Sequence, residues 1–132
     1  MPKTTVNVGS WTIGSGQPCF IIAEAGVNHN GDLELACQLV DAAQAAGADA
    51  VKFQTFQAGQ LVTPDAPKAA YQRQAADAGE SQFAMLKRLE LTADMLRAIR
   101  DRCAEQGILF LSTPFDEASA DLLDQLGVPL FK

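Results

Sequence analysis

Residues 20–55 read FIIAEAGVNHNGDLELACQLVDAAQAAGADAVKFQT and contain two apolar runs separated by an amphipathic segment. The first run, Phe20 to Ala25, has the length and composition of a buried strand. The segment that begins at Asp32 places its apolar residues on one face of a helix. The second run, within DAVKFQTF, predicts another strand. A strand, a helix and a second strand in this order are typical of a parallel βαβ unit.

The same alternation continues through the rest of the chain. Residues 91–107, LTADMLRAIRDRCAEQG, predict a helix that starts at the cap Thr92, and ILFLSTPF predicts a third strand. VPLFK, residues 128–132, is expected to begin a fourth strand. The fold class is therefore expected to be α/β with a parallel sheet. The helix between these last two strands is expected to start at Asp116 and to turn four residues inward: Ala118, Leu122, Leu123 and Leu126.

Three further segments lie outside this alternation. A short hairpin is expected over residues 6–13, and a short helical segment over Ser81 to Leu89. The polar stretch from Gln57 to about Gly79 is too long for an ordinary connection. It is expected to be either a lid over a functional site or simply a flexible segment.

Composition and charge limit the classes of function. The 132 residues suffice for one globular unit or part of one, and the net charge of −6 argues against nucleic-acid or anionic-membrane partners. No apolar window approaches the roughly 18 residues that a membrane span needs. The three cysteines, Cys19, Cys37 and Cys103, have neither disulfide-framework nor zinc spacing, which favours a reducing compartment. A cytoplasmic protein is expected.

Polar residues interrupt the predicted strands at one end. Lys52 and Gln54 lie two residues apart and therefore share a face, while Val51 and Phe53 take the other face. The carboxyl ends of parallel strands form the edge at which α/β proteins bind ligands. The sequence thus predicts a site at that edge, and the strand ends supply Glu24, Lys52, Gln54, Ser112, Thr113 and Lys132.

Each of these residues also has a structural interpretation. Glu24 and Lys52 could form an ion pair that only neutralises a buried charge. Thr113 could serve the turn before Pro114. His29, the only histidine, lies in NHNGD, which is foremost a turn and a helix start, so its role could be structural as well as chemical.

Several segments together resemble the N-terminal barrel of the sialic acid synthase family. They are the stretch of residues 20–55, then YQ, ESQFAMLKRLEL and GILFLSTPFDEASADLLDQLGVPLFK, in that order. The resemblance implies a TIM-type (β/α)8 barrel, of which residues 1–132 would form about the first four β/α units. The C-terminal half of the barrel and the antifreeze-like (SAF) domain of the family would then lie outside this chain.

The resemblance also implies a reaction. The family condenses phosphoenolpyruvate with an N-acetylmannosamine-type sugar, or its 6-phosphate, and uses Mn²⁺ or Mg²⁺, whose ligands are expected outside this chain. By resemblance, Glu24 and Lys52 are the catalytic residues, with Glu24 at the reacting end of the sugar. The substrate-binding residues would be Gln54, Thr113, Lys132, Asn28 and His29. A homodimer is expected.

Two other interpretations stay open at this point. Lys52 could be the Schiff-base nucleophile of a class I aldolase barrel. Alternatively, the chain could be a non-catalytic half-barrel assembly module. A half barrel is expected to be inactive alone, and its exposed sheet edges should promote self-association. The sequence does not identify the sugar among N-acetylmannosamine, its phosphate and the deoxy diacetamido sugars.

Overall fold

The structure, a computed structural model, describes residues 4–68, 70 and 79–132. It contains an antiparallel hairpin, a three-stranded parallel sheet and five helices within those residues. The hairpin strands are β1 (Thr5–Val8) and β2 (Trp11–Gly14), and the sheet strands are β3 (Ile22–Gly26), β4 (Ala50–Thr55) and β5 (Leu109–Pro114). The helices are α1 (Leu33–Ala45), α2 (Ala58–Leu61), α3 (Gln82–Leu89), α4 (Ala93–Gln106) and α5 (Glu117–Gln125).

The sheet order is β3-β4-β5, with parallel pairing throughout. Helices α1, α4 and α5 contact the sheet. The largest core cluster joins buried side chains of those helices to Val51, Phe53 and Phe110 of the strands. The predicted parallel α/β architecture is confirmed, and so is the division of β4 into an apolar face toward the helices and a polar face.

Local side-chain caps start four of the helices in the described residues, including α3, where the hydroxyl of Ser81 accepts the N–H of Ala84 at 3.1 Å. The carboxylate of Asp32 accepts the amide N–H of Leu35 at 2.9 Å, and the hydroxyl of Thr92 accepts that of Met95 at 3.2 Å. Asp116 likewise accepts the N–H of Ser119 at 2.8 Å. These bonds satisfy amide groups that have no partner within the helix. The cap positions predicted from the sequence are confirmed.

A bidentate ion pair also joins α1 to α4. Arg102 donates to both carboxylate oxygens of Asp41, each at 2.8 Å. These hydrogen bonds, together with the positive charge, outweigh desolvation and lower the pKa of Asp41. The pair therefore fixes the relative position of the two helices behind β3 and β4.

The hairpin predicted over residues 6–13 is confirmed and lies at the N-terminal end of the sheet. A Cβ atom placed on Gly9 would be 3.5 Å from Leu109 Cδ2, at the start of β5. The ring of Trp11 meets that of Phe20 edge to face, with 5.6 Å between centroids. The opposite end of the sheet, where the polar residues lie, is therefore free of the hairpin.

The first sheet strand differs from its prediction. It begins at Ile22 instead of Phe20, and Ile22 is 40% exposed. Only Ala25 and Gly26 are buried. Among the strands that the structure describes, β3 pairs on one side alone, with β4. A run of apolar residues could not reveal this difference.

The predicted fourth strand is wrong for the described residues. Residues 128–132 are irregular, and the N–H of Val128 donates to Leu123 O at 3.3 Å as part of the C-terminal cap of α5. Pro129 has no N–H for a ladder. The inward prediction for Ala118 is also wrong, because Ala118 is exposed and Ser119 is buried in its place.

The long segment from Gln57 to Gly79 is only partly described. It contains α2 at its start, while residues 69 and 71–78 lie outside the described residues. The prediction of a lid stays a prediction. The predicted helix after Ser81 is confirmed as α3. No helix in the described part of the chain combines the length and apolarity that crossing a bilayer requires.

Candidate active site

Polar side chains at the carboxyl ends of β3, β4 and β5 lie close together. In the parallel register, Glu24 lies opposite Lys52, and Gln54 lies opposite Thr113. The ammonium of Lys52 forms an ion pair with Glu24 Oε2. It also donates a hydrogen bond to Thr113 Oγ1 at 3.2 Å. Lys52 therefore connects the two outer strands through their polar side chains.

The two members of this ion pair differ in exposure. The side chain of Lys52 is 8% exposed, whereas that of Glu24 is 49% exposed. A buried ammonium without a counter-charge would be costly, so the carboxylate stabilises it. The ion pair expected under the structural interpretation is therefore present. A ligand role remains compatible with it, since half of the carboxylate is accessible to a molecule that approaches from solvent.

The backbone at Gly26 lies close to the side chains of both Glu24 and Gln54. The register shifts between Glu24 and Gly26, and Gly26 has a φ of +56°. A Cβ atom at Gly26 would lie 3.4 Å from Glu24 Oε1 and 3.7 Å from Gln54 Nε2. The absent side chain therefore leaves a narrow space bounded by a carboxylate and an amide. Sequence reasoning missed this residue, although a glycine directly after the predicted strand, Phe20 to Ala25, is a recognisable signal.

Four predicted site residues are therefore brought together by the fold, on the sheet face opposite the helices: Glu24, Lys52, Gln54 and Thr113. Ser112 is not among them. Its hydroxyl lies on the helix side and shares a 2.7 Å hydrogen bond with Thr55, with both residues buried. Lys132 is exposed in the irregular segment after α5. Its role in substrate binding stays a prediction, without a strand to position it.

Asn28 and His29 belong to the loop that follows β3, and both make local hydrogen bonds. Asn28 donates its backbone N–H and its side-chain amide to Ala25 O, at 3.1 and 3.0 Å. His29 is fully buried, and its ring lies 6.1 Å from that of Phe53, on the helix side of β4. The structure does not bring His29 together with Lys52. The prediction that these two residues bind substrate stays untested.

Burial lowers the pKa of His29 below its usual value of 6.5. The unfolded chain therefore binds a proton at a higher pH than the folded chain does. The neutral imidazole therefore makes a contribution to stability that is complete above about pH 6.5. This contribution should be lost as the pH falls toward the lower pKa of His29 in the folded state. We expect the free energy of unfolding to fall over this range by more in the natural protein than in His29→Asn.

Chemical denaturation of the full-length protein between pH 8 and pH 5 measures this difference. His29→Asn keeps an acceptor at the position of Nδ1 but does not titrate, so it isolates the imidazole from the carboxylates, which titrate at lower pH. Equal loss of stability in both proteins would contradict the prediction.

A cavity of about 530 Å³ opens on the helix side of the sheet. Its walls come from the end of β4, from α2 and α3, and from the first turns of α4 and α5. The charged residues that line it, Lys87 and Glu90, form an ion pair with each other. The candidate active site is instead the open polar group around Lys52, because four residues predicted for the site lie together there.

Residues 4–68, 70 and 79–132 contain no group of three or more His, Cys, Asp or Glu side chains that could hold a metal ion. The described residues therefore do not fit the divalent metal that the resemblance implies.

Comparison with known proteins shows which family the chain resembles. The sequence model of the NeuB family matches residues 39–132. The chain is 53% identical over 119 residues to N,N'-diacetyllegionaminic acid synthase of Legionella pneumophila. The aligned residues cover 90% of this chain and 33% of that protein. It is 35% identical over 130 residues to N-acetylneuraminate-9-phosphate synthase of Homo sapiens, covering 94% of this chain and 34% of that protein. The chain thus spans about a third of the length of these curated relatives.

Two solved structures have the same fold. One is an N-acetylneuraminic acid synthetase from Leptospira borgpetersenii in complex with citrate, with a TM-score of 0.76 and 32% identity over 98% of this chain and 40% of that one. The other is the spore coat polysaccharide biosynthesis protein SpsE of Bacillus subtilis, with a TM-score of 0.72 and 38% identity over 97% of this chain and 32% of that one. The predicted fold, part of a TIM-type (β/α)8 barrel, is confirmed.

Proposed function

This chain belongs to the NeuB family, and from that membership we propose that it provides part of the active site of a nonulosonic acid synthase. The reaction would join phosphoenolpyruvate to an N-acetylated mannose-type sugar. C3 of phosphoenolpyruvate would attack the aldehyde carbon of the open-chain sugar and form a C–C bond. Water would then add at C2, and inorganic phosphate would leave. The products are a nonulosonic acid and phosphate.

The observation that carries this proposal is the contact of Lys52 with both Glu24 and Thr113 beside Gln54. Phosphoenolpyruvate carries several negative charges, and the protein as a whole is acidic, with a net charge of −6. A fixed local cation is therefore needed to bind it. Lys52 would supply that cation, while Thr113 and Gln54 would donate hydrogen bonds to the same anion.

Glu24 would act on the sugar. Its carboxylate is half exposed beside Lys52, so it lies next to the proposed phosphoenolpyruvate position and remains accessible to a second substrate. A carboxylate there can orient the aldehyde or its hydrate, and it can move a proton during water addition. Lys132 would add a second cation once contacts with other residues hold its exposed side chain near Lys52.

The remaining features of the proposal come from the resemblance. They are a requirement for Mn²⁺ or Mg²⁺ with ligands outside the described residues, a homodimeric assembly and a cytoplasmic location. Phosphate release by the full-length protein tests the proposal, with phosphoenolpyruvate, Mn²⁺ and, in turn, N-acetylmannosamine, its 6-phosphate and a deoxy diacetamido sugar. One sugar should support turnover, and no turnover with any of them would refute the proposal.

Replacement of Glu24 by glutamine tests the role of the carboxylate. The amide keeps the shape of the side chain but can neither carry the charge nor accept a proton. We expect kcat to fall by about 10²- to 10⁴-fold, with a much smaller change in the KM for phosphoenolpyruvate. Glu34→Gln, in the exposed first turn of α1, is the matched control and should leave kcat unchanged. A Glu24→Gln protein with normal kcat would exclude a catalytic Glu24.

A further inference from the structure

The imidazole of His29 is fully buried and lies on the opposite side of β4 from Lys52. We infer that His29 is a positioning residue for Glu24, which acts by holding the loop after β3 in one conformation. This inference deepens the proposed function and rests on it for its kinetic part.

The hydrogen bonds of His29 define its tautomer. Nδ1 accepts the backbone N–H of Gly31 at 2.9 Å, so this nitrogen carries no proton. The proton of the neutral ring then lies on Nε2, which is buried and has no hydrogen-bond partner among the described residues. A buried donor without a partner is costly, and such groups persist in native structures where another requirement outweighs the cost. Here the requirement is an acceptor for Gly31.

The backbone of Gly31 is closely packed at the point where it donates this bond. Its φ is +76°, and a Cβ atom at this position would lie 2.2 Å from the carbonyl oxygen of Arg88. The backbone of Gly31 is therefore in close contact with the end of α3. The next residue, Asp32, donates its N–H to His29 O at 2.9 Å and caps α1 through its side chain. His29 thus ties the loop to both α1 and α3.

The same loop continues without a break to Glu24. The N–H of Asn30 donates to Val27 O, and Asn28 donates twice to Ala25 O. Ala25 directly follows Glu24, and the register shift at Gly26 sets the direction in which the strand leaves the sheet. Overlapping local hydrogen bonds therefore join residue 28 to 25, residue 30 to 27, and residues 31 and 32 to 29. A change at the imidazole should reach the carboxylate along these bonds.

Two substitutions separate this role from simple core packing. His29→Phe keeps an aromatic ring against Phe53 but removes the acceptor for Gly31. His29→Asn removes the ring but keeps an acceptor, Oδ1, at the position of Nδ1. If the acceptor is what matters, the asparagine variant should preserve the position of Glu24 better than the phenylalanine variant. If ring packing is what matters, the order should be reversed.

The direct measurement is the carbon-13 resonance of the Glu24 carboxyl group in the full-length protein. It can be assigned from its disappearance in Glu24→Gln. We expect His29→Phe to shift this resonance and His29→Asn to leave it near its natural position. Nitrogen-15 spectra of the imidazole should show an unprotonated Nδ1 and a protonated Nε2. An unshifted Glu24 resonance in His29→Phe, or a protonated Nδ1, overturns the inference whatever the reaction of the protein is.

Kinetics supply the second measurement. We expect kcat to fall by about 10²-fold in His29→Phe, as is typical when a reacting group is displaced by about 1 Å, and by only a few-fold in His29→Asn. The KM for phosphoenolpyruvate should change little in either variant, because Lys52 keeps its place. Equal loss of kcat in both variants contradicts the inference. Failure of the proposed function can be distinguished from failure of this inference. In the first case the natural protein would release no phosphate, while the Glu24 resonance would still test the role of His29.

Discussion

Replacement of Lys52 by glutamine should lower kcat/KM for phosphoenolpyruvate by roughly a hundred- to a thousand-fold, the usual effect of removing one fixed donor from a site of charge stabilisation. The change removes the cation proposed to bind the substrate, and it also leaves Glu24 without its partner. Lys52→Arg keeps the charge but cannot place a compact ammonium beside Thr113, so it should recover only a small part of the activity. Phosphate release at varied phosphoenolpyruvate concentration measures both effects.

Lys87→Gln is the matched control for this prediction. The side chain of Lys87 is 63% exposed and also pairs with a glutamate, Glu90, at 2.7 Å. The same chemical change on α3 should therefore leave kcat/KM within about two-fold of the natural value, as expected for an exposed ion pair. A loss of similar size in both variants would indicate a general effect on the protein instead of a role for Lys52 in binding the anion.

Replacement of Gly31 by alanine should reduce the free energy of unfolding by about 3–5 kcal/mol, at the upper end of the range for single substitutions. The added Cβ would lie 2.2 Å from Arg88 O, which belongs to backbone and cannot rotate away. The loop or α3 must therefore move. The positive φ of +76° adds a further cost, since a side chain disfavours that conformation by roughly 1–2 kcal/mol. Chemical denaturation of the full-length protein measures the loss.

Gly47→Ala separates these two contributions. Gly47 also has a positive φ, of +80°, but no atom lies within 4 Å of a Cβ placed there. This variant should lose only the conformational contribution, roughly 1–2 kcal/mol. The difference between the two alanine variants then reports the contact of Gly31 with α3. If Gly31→Ala were no more destabilised than Gly47→Ala, the loop would not be packed against Arg88 as described.

The features that sequence predicted well depend on neighbours along the chain. Asp32, Thr92 and Asp116 each bond the N–H three residues later, so their identity and position were sufficient to predict the helix starts. The grouping of Glu24 with Lys52 was also predictable, because parallel strands bring their carboxyl ends to the same edge. The faces of β4 followed from the two-residue period.

The features that sequence did not predict depend on distant parts of the chain. The contact of Gly31 with Arg88 requires knowledge of where the chain returns after the long segment that follows β4. Residues 128–132 have the composition of a strand but form no ladder with β5. Ser112 and Thr113 are adjacent and both polar, yet they lie on opposite faces, and only the register with β4 assigns Thr113 to the site.

The sheet order β3-β4-β5 repeats the order of these strands along the chain, and β4 and β5 each pair with the strand that precedes them. Both pairings therefore join successive strands, and contacts between elements that are close in sequence are the fastest to form. Domains commonly begin to fold from the N-terminus during synthesis. Glu24, Lys52 and Thr113 can consequently meet on the ribosome as soon as β5 has emerged.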